Sequence, residues 1–140
     1  MVENCGTGIS VQMYSIGTII RYNDVLNNDG GIAVMAIDYS WEHSTPLDTE
    51  VHYNNIVGNI NYGVKSGLWG SNTGEVPAEE VDATNNWWGH ASGPSGPSGR
   101  TNPDDVIIGK GDAVSDNVDW DPWLRRPVWT NPAGKDLPPS

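Results

Sequence analysis

Short apolar stretches separated by Asn, Gly and Asp run along most of the chain, and they recur. Gly8-Ile9-Ser10-Val11 returns as Gly31-Ile32-Ala33-Val34 and then as Gly63-Val64-Lys65-Ser66, at steps of 23 and 32 residues. Tyr22-Asn23-Asp24-Val25-Leu26-Asn27-Asn28 returns as Tyr53-Asn54-Asn55-Ile56-Val57-Gly58-Asn59. It returns again as Thr84-Asn85-Asn86-Trp87-Trp88-Gly89-His90, each time after 31 residues. Two markers in one register define an internal repeat. The apolar positions are Val- and Ile-rich runs of strand length. No twelve-residue stretch free of Gly and Pro has helical periodicity. One or two turns of helix are expected within residues 74–83, where Pro77-Ala78-Glu79-Glu80 begins as a helix would.

A repeat of about 23 residues with short strands and Asn/Gly/Asp turns predicts an all-β parallel solenoid of about three coils. Its strands would stack ~4.8 Å apart, with equivalent residues above one another. The expected inward columns are Val25/Ile56/Trp87 and Ile9/Ile32/Val64. Tyr22 would stack on Tyr53. Asn23, Asn54 and Asn85 would line a turn column, where Asn tolerates the left-handed conformation and its amide can bond to the next coil. Nine extra residues in the second unit predict an outward loop around residues 38–48. The expected organisation is coils over residues 1–92, a Gly/Pro/Ser loop over 93–105, and a closing strand with a Trp-rich lid and tail over 106–140.

Composition supports a folded chain of this kind. The 140 residues include no Phe but seven Trp, five Tyr, seventeen Gly, ten Pro and fourteen Asn, with 36% hydrophobic residues. Thin repeated columns of Val and Ile account for that modest apolar content, and the aromatics argue against disorder. A net charge of −11 excludes nucleic acid and anionic membrane surfaces as expected partners, since both reward basic patches. Cys5 alone cannot build an internal disulfide or a cysteine-based zinc cluster. Residues 1–5 lack the basic-then-apolar pattern of a secretion leader, so none is expected there. No apolar run approaches membrane-spanning length, so no membrane insertion is expected.

Two segments carry a family resemblance. Asn85-Asn86-Trp87-Trp88-Gly89, followed by Ser92-Gly93-Pro94, resembles a segment near the end of right-handed parallel β-helix repeat proteins of the pectate-lyase-like superfold. Asn117-Val118-Asp119-Trp120-Asp121-Pro122-Trp123-Leu124 is similar to the strand and Pro-Trp-Leu that close those domains. The resemblance covers roughly residues 8–124. It implies a short right-handed β-helix with an irregular C-terminal cap, and secretion or display on a bacterial or archaeal cell surface. It leaves function open, because the fold hosts lyases, hydrolases and adhesins. The family's N-terminal capping helix has no counterpart here. An uncapped first coil leaves three expectations: the chain is the C-terminal piece of a longer β-helix, its first residues fold over the end, or it self-associates into a homo-oligomer through that end, which an apolar end favours.

Candidate chemistry follows from what the columns leave over. Trp87, Trp88, Trp120, Trp123 and Trp129 read as the terminal lid. Tyr39, Trp41, His43 and Trp69 fall outside the columns and are the candidates for stacking on a polysaccharide. Asp116, Asp119 and Asp121 are candidate Ca²⁺ ligands, with Asp119 and Asp121 expected on one strand face. Asp104-Asp105 reads as a turn or N-cap. His43, His52 and His90 share no spacing with a nucleophile, so no triad is expected. Arg21 and His52 would be equivalent one coil apart, near Asp24 and Asn55, in a basic column that Ala83 would end. Glu79, Glu80 and Asp82 are a loose carboxylate group. The expected function is a non-catalytic extracellular module for carbohydrate binding or protein assembly. The alternative is a fragment or relative of a polysaccharide lyase or glycoside hydrolase.

Overall fold

Thirteen short strands and no helix are found in residues 1–70, 78–96 and 109–128, the residues described by the computed structural model. In chain order they are β1 (Val2–Glu3), β2 (Thr7–Gln12), β3 (Ile19–Arg21), β4 (Asp24–Leu26), β5 (Gly30–Asp38) and β6 (His43–Ser44). There follow β7 (Glu50–His52), β8 (Asn55–Val57), β9 (Tyr62–Trp69), β10 (Val81–Asp82), β11 (Pro94–Ser95), β12 (Gly111–Ala113) and β13 (Val118–Asp119). They form parallel sheets ordered β1-β4-β8, β3-β7-β10-β13 and β2-β5-β9, with β11 beside β12. The antiparallel pair is β5 with β6, a hairpin returning through residues 39–42. The all-β, parallel character expected from the repeat is therefore present. Glu79 and Glu80 are not helical, and residues 71–77 lie outside the described residues.

Alternation along β3, β4, β7 and β8 sends Val and Ile inward, while β5 is buried along its whole length. Val25, Ile32, Val51, Ile56, Val64, Val81, Val114 and Val118 are all fully buried. Each such side chain contributes roughly 1.5–3 kcal/mol by leaving water. The pairs Ile9↔Ile32 and Ile32↔Val64 match the expected column, and an isolated bridge adds Val114 to Val64.

The other column needs correction. Val25 pairs with Ile56, but Asn55, not Ile56, bridges Trp87. The step there is 32 residues rather than 31. Trp88, fully buried, takes the inward place expected for Trp87, which is half-buried. The amide ladder is Asn23, Asn54 and Asn86, not Asn85. Asn23 N–H donates to Asn54 Oδ1 at 2.9 Å, and Asn54 N–H donates to Asn86 Oδ1 at 3.0 Å. The left-handed positions are Tyr22, Tyr53 and Asn85, one residue before each ladder Asn. Tyr22 and Tyr53 stack as expected, 5.7 Å apart.

Burial of charge sets this register. A 31-residue step would place Asp82 under the buried Val51, where a carboxylate would lose its hydration. The 32-residue step puts Ala83 there instead, fully buried, and leaves Asp82 outside. The extra residue is absorbed before Gly89, so the second left-handed column, Asn27, Gly58 and Gly89, keeps a constant step.

The two segments that carry the resemblance pack on each other. Asn85 N–H donates to Pro122 O at 2.6 Å, Leu124 N–H to Asn86 O at 2.9 Å, and Trp123 Nε1–H to Ala91 O at 2.9 Å. The Trp123 ring occupies the space beside Gly93 that a Cβ would need, which accounts for the glycine. Trp120 lies tilted on Trp123, 5.5 Å away, and packs into the core. Trp129 lies outside the described residues.

Candidate functional site

The β5–β6 hairpin brings together three of the four aromatic-site residues expected from sequence. Tyr39 and Glu42 exchange backbone hydrogen bonds at 2.9 and 3.4 Å, closing the turn. Trp41 then lies flat on Tyr39, with ring centroids 4.9 Å apart and planes at 5°. Its outer face is open, and the residue is 76% exposed. His43 Nδ1 lies 3.1 Å from the buried Asp38 carboxylate at the base of the hairpin. Glu42 accepts a hydrogen bond from the Tyr14 hydroxyl, and this bond with a carboxylate pushes the Tyr14 pKa above its ordinary value. Trp69 ends β9, pairing with Ile37 one residue before the buried Asp38. Gly70 next to it touches Tyr39, since a Cβ on Gly70 would meet the Tyr39 ring. Loop and third repeat thus meet at one end of the same sheet.

The expected Ca²⁺ ligands do not converge. Asp116 lines an open cleft of about 890 Å³ with Tyr62, Lys65, Ser66 and Ser115. Asp119 pairs with Asp82 on the outside of the β3-β7-β10-β13 sheet. Asp121 is exposed beyond the strand. Asp104-Asp105 lies outside the described residues. The loose carboxylate group also separates: Glu79 turns inward, accepting from Thr49 N–H at 2.9 Å and Thr49 Oγ1 at 2.8 Å, while Asp82 faces out.

A convergence that the sequence reading missed lies on that outer face. Val51 points inward, so Glu50 and His52 point outward, and Asp82 is the register partner of Glu50. The ligand atoms of Glu50, His52 and Asp82 lie within 4.8 Å of one another. His52 Nε2 is 3.5 Å from Asp82 Oδ2 and 3.9 Å from Glu50 Oε1. Its other nitrogen is occupied: Nδ1–H donates to the Thr84 carbonyl at 2.7 Å. Thr84 Oγ1 donates to Asp82 Oδ1 at 2.9 Å, turning Oδ2 toward the imidazole. Arg21 pairs with His52 as expected, and the third position of that row is Thr84 rather than Ala83. The signal was present in the sequence, because a 32-residue step aligns Glu50 with Asp82. The three histidines occupy separate surroundings, with His90 beside Ser92 at 2.7 Å.

At the level of class, this is an all-β chain of parallel sheets with an exposed aromatic hairpin and a His-carboxylate row. Comparison with protein-family models, curated proteins and solved structures finds no match for it.

Proposed function

We propose that the chain is a short right-handed parallel β-helix acting outside the cell as a non-catalytic carbohydrate-binding module. The β-helix reading is supported by three parallel sheets filled by successive repeats and by the packing of the two closing motifs on each other. The observation that carries the binding reading is Trp41, held flat on Tyr39 with its outer face in water. An indole fixed this way offers a rigid apolar plane at little conformational cost, and a pyranose presents a matching face of C–H groups. Glu42 and His43 follow Trp41 along the hairpin and bring polar groups suited to sugar hydroxyls.

The test is binding to a polysaccharide and glycan panel, followed by tryptophan fluorescence. Trp41→Ala should weaken binding about tenfold or more, the loss typical of a truncated aromatic anchor. Trp69→Ala should weaken it less. Wild-type protein that binds no glycan, or a Trp41→Ala variant that binds as wild type, would overturn the reading.

Self-assembly is a second reading, favoured by a separate observation. Among the described residues, β1, β2 and β3 each stand at an end of their strand order, and Ile16 before β3 and Ile19 within it are 71% and 55% exposed. A free parallel edge flanked by apolar side chains is a template for a second copy.

A further inference from the structure

We propose that Glu50, His52 and Asp82 form a binding site for a transition-metal dication of the Zn²⁺ class, with Thr84 as its positioning residue. This goes beyond the carbohydrate reading, since it rests on other strands, β7 and β10, and on a different sheet.

The geometry is close to what such an ion needs. Ligand atoms 2.0–2.1 Å from zinc at tetrahedral angles stand about 3.4 Å apart. His52 Nε2 is already 3.5 Å from Asp82 Oδ2 and 3.9 Å from Glu50 Oε1. Glu50 and Asp82 are half exposed, so small rotamer adjustments close the remaining gap.

The imidazole separates this group from an ordinary patch of surface acid. A metal takes the unprotonated ring nitrogen, and which one that is depends on the hydrogen bond the other makes. A carbonyl cannot donate, so Thr84 O holds a proton on Nδ1, and in the neutral ring it is Nε2, facing the two carboxylates, whose lone pair is free for a metal. The hydroxyl of the same residue holds Asp82 Oδ1, and Asp82 Oδ2 faces Nε2. One residue therefore orients two ligands supplied by different strands, as outer-shell groups of metal sites do.

The donor set also selects the ion. Two carboxylates and an imidazole suit Zn²⁺ and its neighbours, whereas Ca²⁺ takes six to eight oxygens and gains little from nitrogen. Three protein ligands on an outer sheet face leave the fourth position open to water or to a ligand from solution. Asp119, the register partner of Asp82, adds negative charge beside the site.

The test is calorimetric titration of the metal-stripped chain with ZnCl₂ and separately with CaCl₂. NMR of ¹⁵N-labelled histidines is followed in parallel. Zn²⁺ should bind with one ion per chain at this site, raise the thermal midpoint and shift His52 Nε2 rather than Nδ1. Ca²⁺ should bind at least about tenfold more weakly. His52→Gln and Asp82→Asn should each weaken Zn²⁺ at least tenfold. Thr84→Val, which keeps the shape but removes the hydroxyl, should weaken it about tenfold with the fold intact. His90→Gln, at an exposed histidine beside Ser92 and outside both sites, should change nothing. Zn²⁺ binding that survives His52→Gln, a shift at Nδ1, or Ca²⁺ binding as tightly as Zn²⁺ would each overturn the proposal. If the outward variants lost their fold, the wild-type ¹⁵N shifts and metal preference would still decide it.

Discussion

At the scale of single residues, Asp112 shows how position overrides type. A second amide ladder runs from Cys5 N–H to Asn28 Oδ1, from Asn28 N–H to Asn59 Oδ1, and from Asn59 N–H to Asp112 Oδ2, at 2.9, 3.0 and 2.9 Å. Asp112 ends it with a carboxylate that also accepts from Gly58 N–H at 2.8 Å and from Asn59 Nδ2 at 2.7 Å. Two acceptor oxygens serve three donors, which an asparagine could not do. Partial burial nevertheless raises its pKa above the ordinary 3.8, outweighing the hydrogen bonds that lower it. Between 3.8 and that raised value the folded chain holds the proton more firmly than the unfolded chain, so stability falls as pH rises through this window. In Asp112→Asn the position no longer titrates. Denaturant unfolding of both proteins from about pH 3.5 to 7 should show wild type losing stability relative to the variant as pH rises, with a plateau above the raised pKa. A flat difference, or one of opposite slope, would contradict the assignment. Nothing in the sequence distinguished this aspartate from the seventeen other acids, because the ladder that holds it joins residues more than fifty positions apart.

At the scale of elements, stacked glycines explain why each repeat of the first marker opens on Gly. A Cβ on Gly8 would come within 2.8 Å of Gly31 O, and one on Gly31 would fall on Gly63 O. Each glycine lets the backbone of the next repeat approach where β2, β5 and β9 begin. Gly31→Ala should therefore cost about 1–3 kcal/mol in denaturant unfolding, as overpacking does. Gly6→Ala, with nothing within 4 Å of the added methyl, should change stability by less than about 0.5 kcal/mol. Equal effects would show that close approach is not the reason for the glycines. The hairpin is the opposite case. Sequence placed an outward loop at residues 38–48, and that loop is the β5–β6 hairpin with its tip. The tie from Tyr14 to Glu42 belongs to the fold alone, since it joins the turn to a residue 28 positions earlier, and the flat packing of Trp41 on Tyr39 depends on how the turn closes.

At the scale of the whole molecule, charge and edges act in opposite directions. A net charge of −11 opposes association at low salt. The edge positions of β1, β2 and β3 among the described residues, with the exposed Ile16 and Ile19, favour it. Sedimentation equilibrium in 0.15 M salt should show a dimer at high micromolar concentration. It should be weakened by the double change Ile16→Lys with Ile19→Lys and strengthened by added salt. A strict monomer under those conditions would remove the assembly reading and leave carbohydrate binding standing by itself.

The sequence by itself determined the repeat, the strands, the inward columns of Val and Ile, and the turns of Asn and Gly. These are local patterns, and a period of two fixes which face a side chain takes. It also placed Arg21 over His52 and Tyr22 over Tyr53, where the step is uniform. Only the tertiary structure decided the second step. There the cost of burying Asp82 selects 32 residues over 31, putting Trp88 and Asn86 where Trp87 and Asn85 were expected. That single residue of register moves Asp82 beside Glu50 and Thr84 beside His52. The proposed metal site is therefore made by the stacking of strands and by no contiguous motif.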